Sequence, residues 1–205
     1  MSIKVIIFDL GKVLFDYDLN LISSAFLPYA QKKEYLQDIK KFMADNNDLF
    51  CKYEKGQISS ADFYKSLSDV AGLDISYDKF CNLWNNIFEP IENMISFVSS
   101  LHGKYRLAVL SNTNELHYEF LEKLYGKFLK NFNDFFLSYK MNLRKPEEEI
   151  YKKVIEYYGC NAKELFFTDD LSVNINAAKK CGINGFVFEN LEKLKNDFLV
   201  AGIKI

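Results

Sequence analysis

The stretch "VIIFDLGKVLFDYD", residues 5–18, begins with an apolar run and delivers Asp9 to the end of what reads as a buried strand. Extended back to Ile3, the run is apolar and largely β-branched but for Lys4, which suits a central strand of a parallel sheet covered on both faces. Gly11 follows where a second acid would be useful beside Asp9. Whether Asp9 is a catalytic carboxylate, and what works next to it, depends on the strands that follow.

Three later segments resemble the first. "YRLAVLSN" (105–112), "ELFFTDD" (164–170) and "GFVFEN" (185–190) are short apolar runs, and the first two end in polar residues where a strand would leave its sheet. "FNDFFLS" (132–138) is a weaker candidate. Between them lie helical patterns. "EPIENMISFVSSLHGKY" has Pro90 near its first turn and Gly103 after its last, "PEEEIYKKVIEYYGC" starts with proline and acids and ends before Gly159, and "LSVNINAAKKCGI" ends in lysines and Gly182. Strand and helix therefore alternate from about residue 90 onward, the pattern of a Rossmann-like, doubly wound α/β domain with a parallel sheet. The segment between the first strand and that region carries helical spacing only, in "LNLISSAFLPYA", "KKEYLQDIKKFMADN", "SSADFYKSLSDVAG" and "SYDKFCNLWNNIF", with Ser59 and Ser76 placed as N-caps. We expect a catalytic core from residues 1–16 and 89–205, and an inserted α-helical cap from 17–88.

Composition narrows the function. In 205 residues, 49% of them hydrophobic, there is enough apolar material for a well-formed core, and the chain should be globular and soluble. A net charge of -2, with lysines and acids interspersed, carries no electrostatic footprint for nucleic acid. No apolar run reaches membrane-spanning length, and Asp9 and Lys12 interrupt the N-terminal run too early for a secretory segment, so the expected location is cytoplasmic. The four cysteines are scattered without zinc-ligand spacing and read as reduced, packed thiols; His102 and His117 read as solvated. An amphipathic cap helix packs equally well on its own core or on a partner, so the patterning sets no oligomeric state.

In an open α/β sheet, ligands bind beyond the carboxyl ends of the strands. Gathered there would be Asp9, Ser111 and Asn112, Asp169 and Asp170, with Lys145 just before a helix start. Each has an ordinary reading as a turn, cap or helix-entry residue. Their joint occurrence in this order is more telling, because three carboxylates in one cleft raise one another's pKa and call for a cation. Mg²⁺ suits an all-oxygen set completed by water and a substrate phosphate, whose oxygens the Ser111 hydroxyl and the Lys145 ammonium can meet.

At this point the chain resembles the haloacid dehalogenase-like hydrolase superfamily over nearly its whole length. "FDLGKVL", "VLSNTN", "LRKPEEEIY" and "FFTDDLSVNINAAKKCGI" are similar to its four motifs in order, and the helical insertion, with "YEKGQISSADFYKSL", is similar to its C1-type cap. The resemblance implies a phosphatase of small phosphorylated metabolites. Asp9 would be the nucleophile that becomes an aspartyl phosphate. The Asp9 carboxylate, the Gly11 carbonyl, Asp170 and, directly or through water, Asp169 would hold Mg²⁺. Ser111 and Asn112 would bind phosphate oxygens, Lys145 would neutralise the nucleophile and the phosphoryl group, and Asn174, at the place of a common family acid, would orient Lys145.

The departure is at Gly11. The family's phosphatases usually carry D-x-D, whose second acid protonates the leaving group and activates water, and such catalysis supplies a factor of about 10²–10⁴. The D-L-G-x-V form resembles a branch that includes glucose-1-phosphate phosphatases, whose leaving group needs less protonation. Asp16 and Asp18 read as hinge or cap residues before they read as a substitute acid. Two other outcomes stay open: a slow phosphotransferase, and a low-turnover phosphate-binding or regulatory protein. A metal-independent 2-haloacid dehalogenase is the enzymatic rival, opposed by the adjacent Asp169 and Asp170. In the cap, Phe42, Phe50, Tyr53 and Trp84 read as the cap's own core before they read as specificity residues.

Overall fold

The computed structural model describes residues 2–204. Strand β1 (Val5–Phe8) is followed by a short β2 (Phe15–Tyr17), then by helices α1 (Leu19–Phe26), α2 (Ile39–Asp45), α3 (Asn47–Glu54), α4 (Ser60–Ala71) and α5 (Tyr77–Asn85). The chain returns through β3 (Phe88–Pro90) and α6 (Glu92–Leu101) to β4 (Arg106–Ser111), α7 (Glu115–Leu129), β5 (Asp134–Leu137) and α8 (Ser138–Met141). It ends with α9 (Glu148–Tyr158), β6 (Leu165–Asp169), α10 (Ser172–Lys180), β7 (Asn184–Val187) and α11 (Leu191–Val200).

The five longer strands form one parallel sheet in the order β5-β4-β1-β6-β7. This is the expected Rossmann-like α/β fold. The period of two along β1 sends Ile6 and Phe8 into the apolar layer under α6, α7 and α11, and Val5 and Ile7 into the layer under α9 and α10. Both faces are covered, which is why the strand is apolar at every position. Asp9 is the first polar residue past its end, and the order reverses at β1, so a crevice opens there between loops that leave in opposite directions.

The helices α1–α5 pack on an apolar cluster of their own, containing Phe26, Phe42, Phe50, Phe63, Phe80 and Trp84. Ser59 Oγ accepts from the Asp62 amide to start α4, and Gly72 closes it in the left-handed conformation at φ 63°. Ser76 caps α5 in the same way. The stretch 32–46 departs from the expected continuous helix: it is a 3₁₀ turn over Lys33–Leu36, then α2, restarted by the Asp38 side chain accepting from the Lys41 amide. Helix α3 lies outside the helical stretches read from the sequence. The two chain crossings into this helical region pair antiparallel, with Phe15 opposite Pro90 and Tyr17 opposite Phe88, where the sequence shows only a change of pattern. No helix is long and apolar enough to cross a membrane among the described residues.

Candidate active site

Asp9, Asp169 and Asp170 each bring a carboxylate oxygen within 4.8 Å of the others at the ends of β1 and β6. Lys145, 1% exposed, lies among them. Its ammonium donates to the Leu110 carbonyl at 2.9 Å and to Asp169 Oδ2 at 2.6 Å, and stands 2.9 Å from Asp9 Oδ2. Two of its protons thus meet acceptors, and Asp9 is held beside it as an ion pair. Burial by itself would pull the Lys145 ammonium down, but the charges of Asp9 and Asp169 outweigh it and hold its pKa above the usual value. For Asp9, burial pushes the carboxyl up, Lys145 opposes this and Asp169 adds to it. Burial followed by the Asp169 charge also raises Asp170.

The four acceptor sites of Asp169 are all engaged. Oδ1 accepts from the Leu171 amide at 2.9 Å and from Asn174 Nδ2 at 2.9 Å; Oδ2 accepts from Lys145 and from Asn174 Nδ2 at 3.0 Å. Asn174 therefore acts on Lys145 through Asp169, one residue removed from the contact expected for it. An amide suits this position because it donates, whereas an acid would add a charge beside a fully buried carboxylate. Asn112 also serves Lys145. Its Nδ2 donates to the Lys145 carbonyl and its Oδ1 accepts from the Lys145 amide, both at 2.8 Å, so the side chain that the sequence assigns to phosphate oxygens is pinned to the loop bearing the lysine. Ser111 lines the same cavity, and no hydrogen bond from its hydroxyl to another described residue is formed. No hydrogen bond reaches the Gly11 carbonyl among the described residues.

Asp9, Gly11, Ser111, Asn112, Lys145, Asp170 and Asn174, with Asp169 buried beneath, form the floor of a cavity of about 220 Å³ roofed by the helical insertion. Phe50, Tyr53 and Trp84 line it while belonging to the insertion's apolar cluster; Phe42 belongs to that cluster alone. Asp16 and Asp18 are outside it: Asp16 pairs with Lys12 and Asp18 caps α1. Glu54, from α3, was not singled out by sequence. Its Oε2 stands 2.8 Å from Arg144 Nη2 as an ion pair without hydrogen-bond geometry, and no described residue donates a hydrogen bond to either oxygen. Burial raises the Glu54 carboxyl, with Arg144 opposing. Lys55 to Glu147 at 2.5 Å and Ser60 Oγ to Glu115 Oε2 at 2.6 Å seat the insertion further. At Gly56, φ 64°, an added Cβ would lie 2.2 Å from the Tyr139 carbonyl.

His117 is not the solvated residue its helical setting suggests. Its ring stacks on Trp84 at 5.1 Å and 13°, and its contacts, Nε2 with the Trp84 carbonyl at 3.2 Å and Nδ1 with Asn114 Nδ2 at 3.1 Å, assign the neutral Nε2–H tautomer. Burial pushes its pKa down to about 4. Tyr17 also faces the cavity, and burial, followed by the charges of Asp170 and Asp9, pushes its phenol up to about 12.

Three carboxylates against one ammonium leave an excess of two negative charges, which a divalent cation with hard oxygen preference fits. Asp9 and Asp170 are the carboxylates that retain capacity for it.

The chain is 29% identical over 196 residues to a D-ribitol-5-phosphate phosphatase of Bacteroides thetaiotaomicron, covering 92% of this chain and 93% of the relative. A sesquiterpene phosphatase of Aspergillus oryzae is 27% identical over 195 residues, covering 90% of this chain and 89% of the other. The crystal structure of a haloacid dehalogenase family enzyme from Bacteroides thetaiotaomicron, in complex with magnesium and inorganic phosphate, superposes with a TM-score of 0.82 at 30% identity over 94% of this chain and 99% of that one. Residues 6–188 match the family model described as haloacid dehalogenase-like hydrolase, and the chain belongs to that family.

Proposed function

We propose that the protein is a Mg²⁺-dependent phosphatase of small phosphorylated metabolites, acting through an aspartyl phosphate on Asp9. The observation that carries this reading is the Asp9–Lys145–Asp169 array, in which a nucleophile, its neutralising cation and the group that positions the cation are packed within 2.9 Å contacts. Asp9 attacks phosphorus with the oxygen not held by the Leu10 amide, which donates to Oδ1 at 2.7 Å. Lys145 draws charge from the attacked phosphoryl group, and the unpartnered Ser111 hydroxyl donates to one of its oxygens. Asn112 and Asn174 act by holding Lys145 and Asp169 in place. Asp9, Asp170 and the Gly11 carbonyl would hold Mg²⁺, with Asp169 outside the ligand set because its oxygens are already engaged. When bound, the ion supplies the positive charge that lets an anionic phosphate approach a carboxylate.

The roof over residues 17–88 excludes bulk water and faces the leaving group. One polar feature of it is Glu54, ion-paired with Arg144, whose Oε1 is left to accept from a substrate hydroxyl. That supports a hydroxylated leaving group, as in sugar or alditol phosphates, sugar 1-phosphates among them. The Bacteroides relative named for D-ribitol 5-phosphate points the same way. The test is phosphate release from a panel of sugar, alditol and prenyl phosphates. We expect turnover of the hydroxylated esters, abolished by EDTA, by Asp9→Asn and by Asp170→Asn, with a melting temperature that rises on adding Mg²⁺ to the parent but not to Asp170→Asn. Undiminished turnover in EDTA would refute the metal's part, and turnover confined to prenyl phosphates would refute the substrate class.

A further inference from the structure

The glycine two residues beyond the nucleophile is explained by what lies against it. Gly11 does not occupy the left-handed region, so its backbone accepts any residue; the constraint is space. A Cβ built there would stand 2.9 Å from Tyr17 Cε1, 3.5 Å from Cδ1 and 3.9 Å from Cζ. The ring, on the side leading to its hydroxyl, fills the room that an acid at this position would need. The ring is also held. Tyr17 pairs with Phe88 across β2 and β3, its ring meets the Phe88 ring edge-on at 6.1 Å, and Lys12 Nζ lies 4.8 Å from its centroid while donating to the Tyr17 carbonyl at 2.7 Å. Its hydroxyl has no protein partner among the described residues, and the residue lines the cavity with Asp9, Gly11 and Asp170.

We propose that Tyr17 replaces the missing second acid: its ring excludes any side chain at position 11, and its hydroxyl donates a hydrogen bond to the leaving-group oxygen. The proposal rests on the phosphatase reading above. As the Asp9–phosphorus bond forms and the phosphorus–oxygen bond to the leaving group breaks, the electron pair passes to the leaving oxygen, which Tyr17 stabilises while keeping its own proton. A single water admitted to the cavity supplies the proton that completes the alcohol, and the hydroxide it leaves is neutralised by the proton released when a second water opens the aspartyl phosphate. The site would thus favour leaving groups that depart easily, and adding an acid at Gly11 alone would not improve it.

The experiment compares the parent with Gly11→Asp, Tyr17→Phe, Tyr17→Ala and the Gly11→Asp/Tyr17→Ala pair, by thermal unfolding and by kcat/KM across phosphate esters of graded leaving-group pKa. Overpacking in Gly11→Asp should lower the melting temperature by about 2–12 °C without raising turnover of alkyl phosphates. On the Tyr17→Ala background the same acid should cost no melting temperature, so that the pair unfolds where Tyr17→Ala does, and the pair should exceed Tyr17→Ala on alkyl phosphates by up to about 10²-fold. Tyr17→Phe should lose about tenfold on alkyl esters, near 1.4 kcal/mol, and markedly less on aryl esters, steepening the dependence on leaving-group pKa. An equal loss on every ester overturns the hydroxyl's role, and a Gly11→Asp variant as stable as the parent overturns the ring's. A parent that hydrolyses no ester overturns the phosphatase reading and the hydroxyl's role with it; the melting temperatures then still uphold or overturn the ring's occupancy.

Discussion

Replacing Lys145 with methionine keeps the apolar stem and removes the charge from the centre of the site. The ammonium is the partner of Asp9 at 2.9 Å, of Asp169 at 2.6 Å and of the Leu110 carbonyl at 2.9 Å. Without it, the Leu110 carbonyl loses its donor in a buried setting, and carboxylates within 4.8 Å of one another lose the ammonium packed among them. At an effective dielectric constant of about 20, two such charges repel by about 3–4 kcal/mol. Removing one member of a buried ionic cluster generally costs about 3–5 kcal/mol, and we expect Lys145→Met to fall in that range. With a urea slope near 2 kcal/mol/M, the midpoint followed by far-UV circular dichroism in EDTA should drop by about 2 M. Asp9→Asn on the Lys145→Met background removes one of the repelling charges and should recover about 1–3 kcal/mol. If Lys145→Met stays within about 1 kcal/mol of the parent, or the second substitution recovers nothing, the charge arithmetic proposed for this site is wrong.

Two further outcomes follow from the seam between roof and floor. His117, neutral in the fold with a pKa near 4 against an ordinary 6.5, takes up its proton in the unfolded chain first. Stability should therefore fall as pH drops from about 6.5 to 4, by about 2–3 kcal/mol, and His117→Phe, which keeps a ring against Trp84, should flatten that slope in urea titrations. Gly56→Ala puts a Cβ 2.2 Å from the Tyr139 carbonyl and a left-handed conformation on a non-glycine residue, so it should cost at least about 1–2 kcal/mol and speed proteolysis within residues 17–88; unchanged unfolding and cleavage would contradict the close seating.

The parallel sheet was legible because its causes are local. An apolar run ending in Asp9, repeated at 105–112 and 164–170, reports a strand buried on both faces, and capping residues such as Ser59 and Ser76 report where helices start. The break at Asp38 was missed although the signal was there: an N-cap residue inside an otherwise periodic stretch. The candidate acids and the lysine were legible as residues that end strands or start helices, and topology brings those ends together.

Other features had no local signature. Glu54 is one acid among many until Arg144, distant along the chain, closes on it, and His117 reads as a surface residue until Trp84 covers it. Asn112 offers an amide to phosphate in any reading of its motif; only the folded loop shows that amide engaged with Lys145. The sequence by itself determined the α/β alternation, the helical insertion and the chemical types at the sheet's edge, since these follow from hydrophobic period and turn chemistry within short windows. Tertiary structure alone decided which oxygens stay free, which carboxylate is saturated and why residue 11 is a glycine. These depend on contacts between elements that touch only after the chain has folded, where an ångström separates a ligand from a spacer and an acid from a clash with Tyr17.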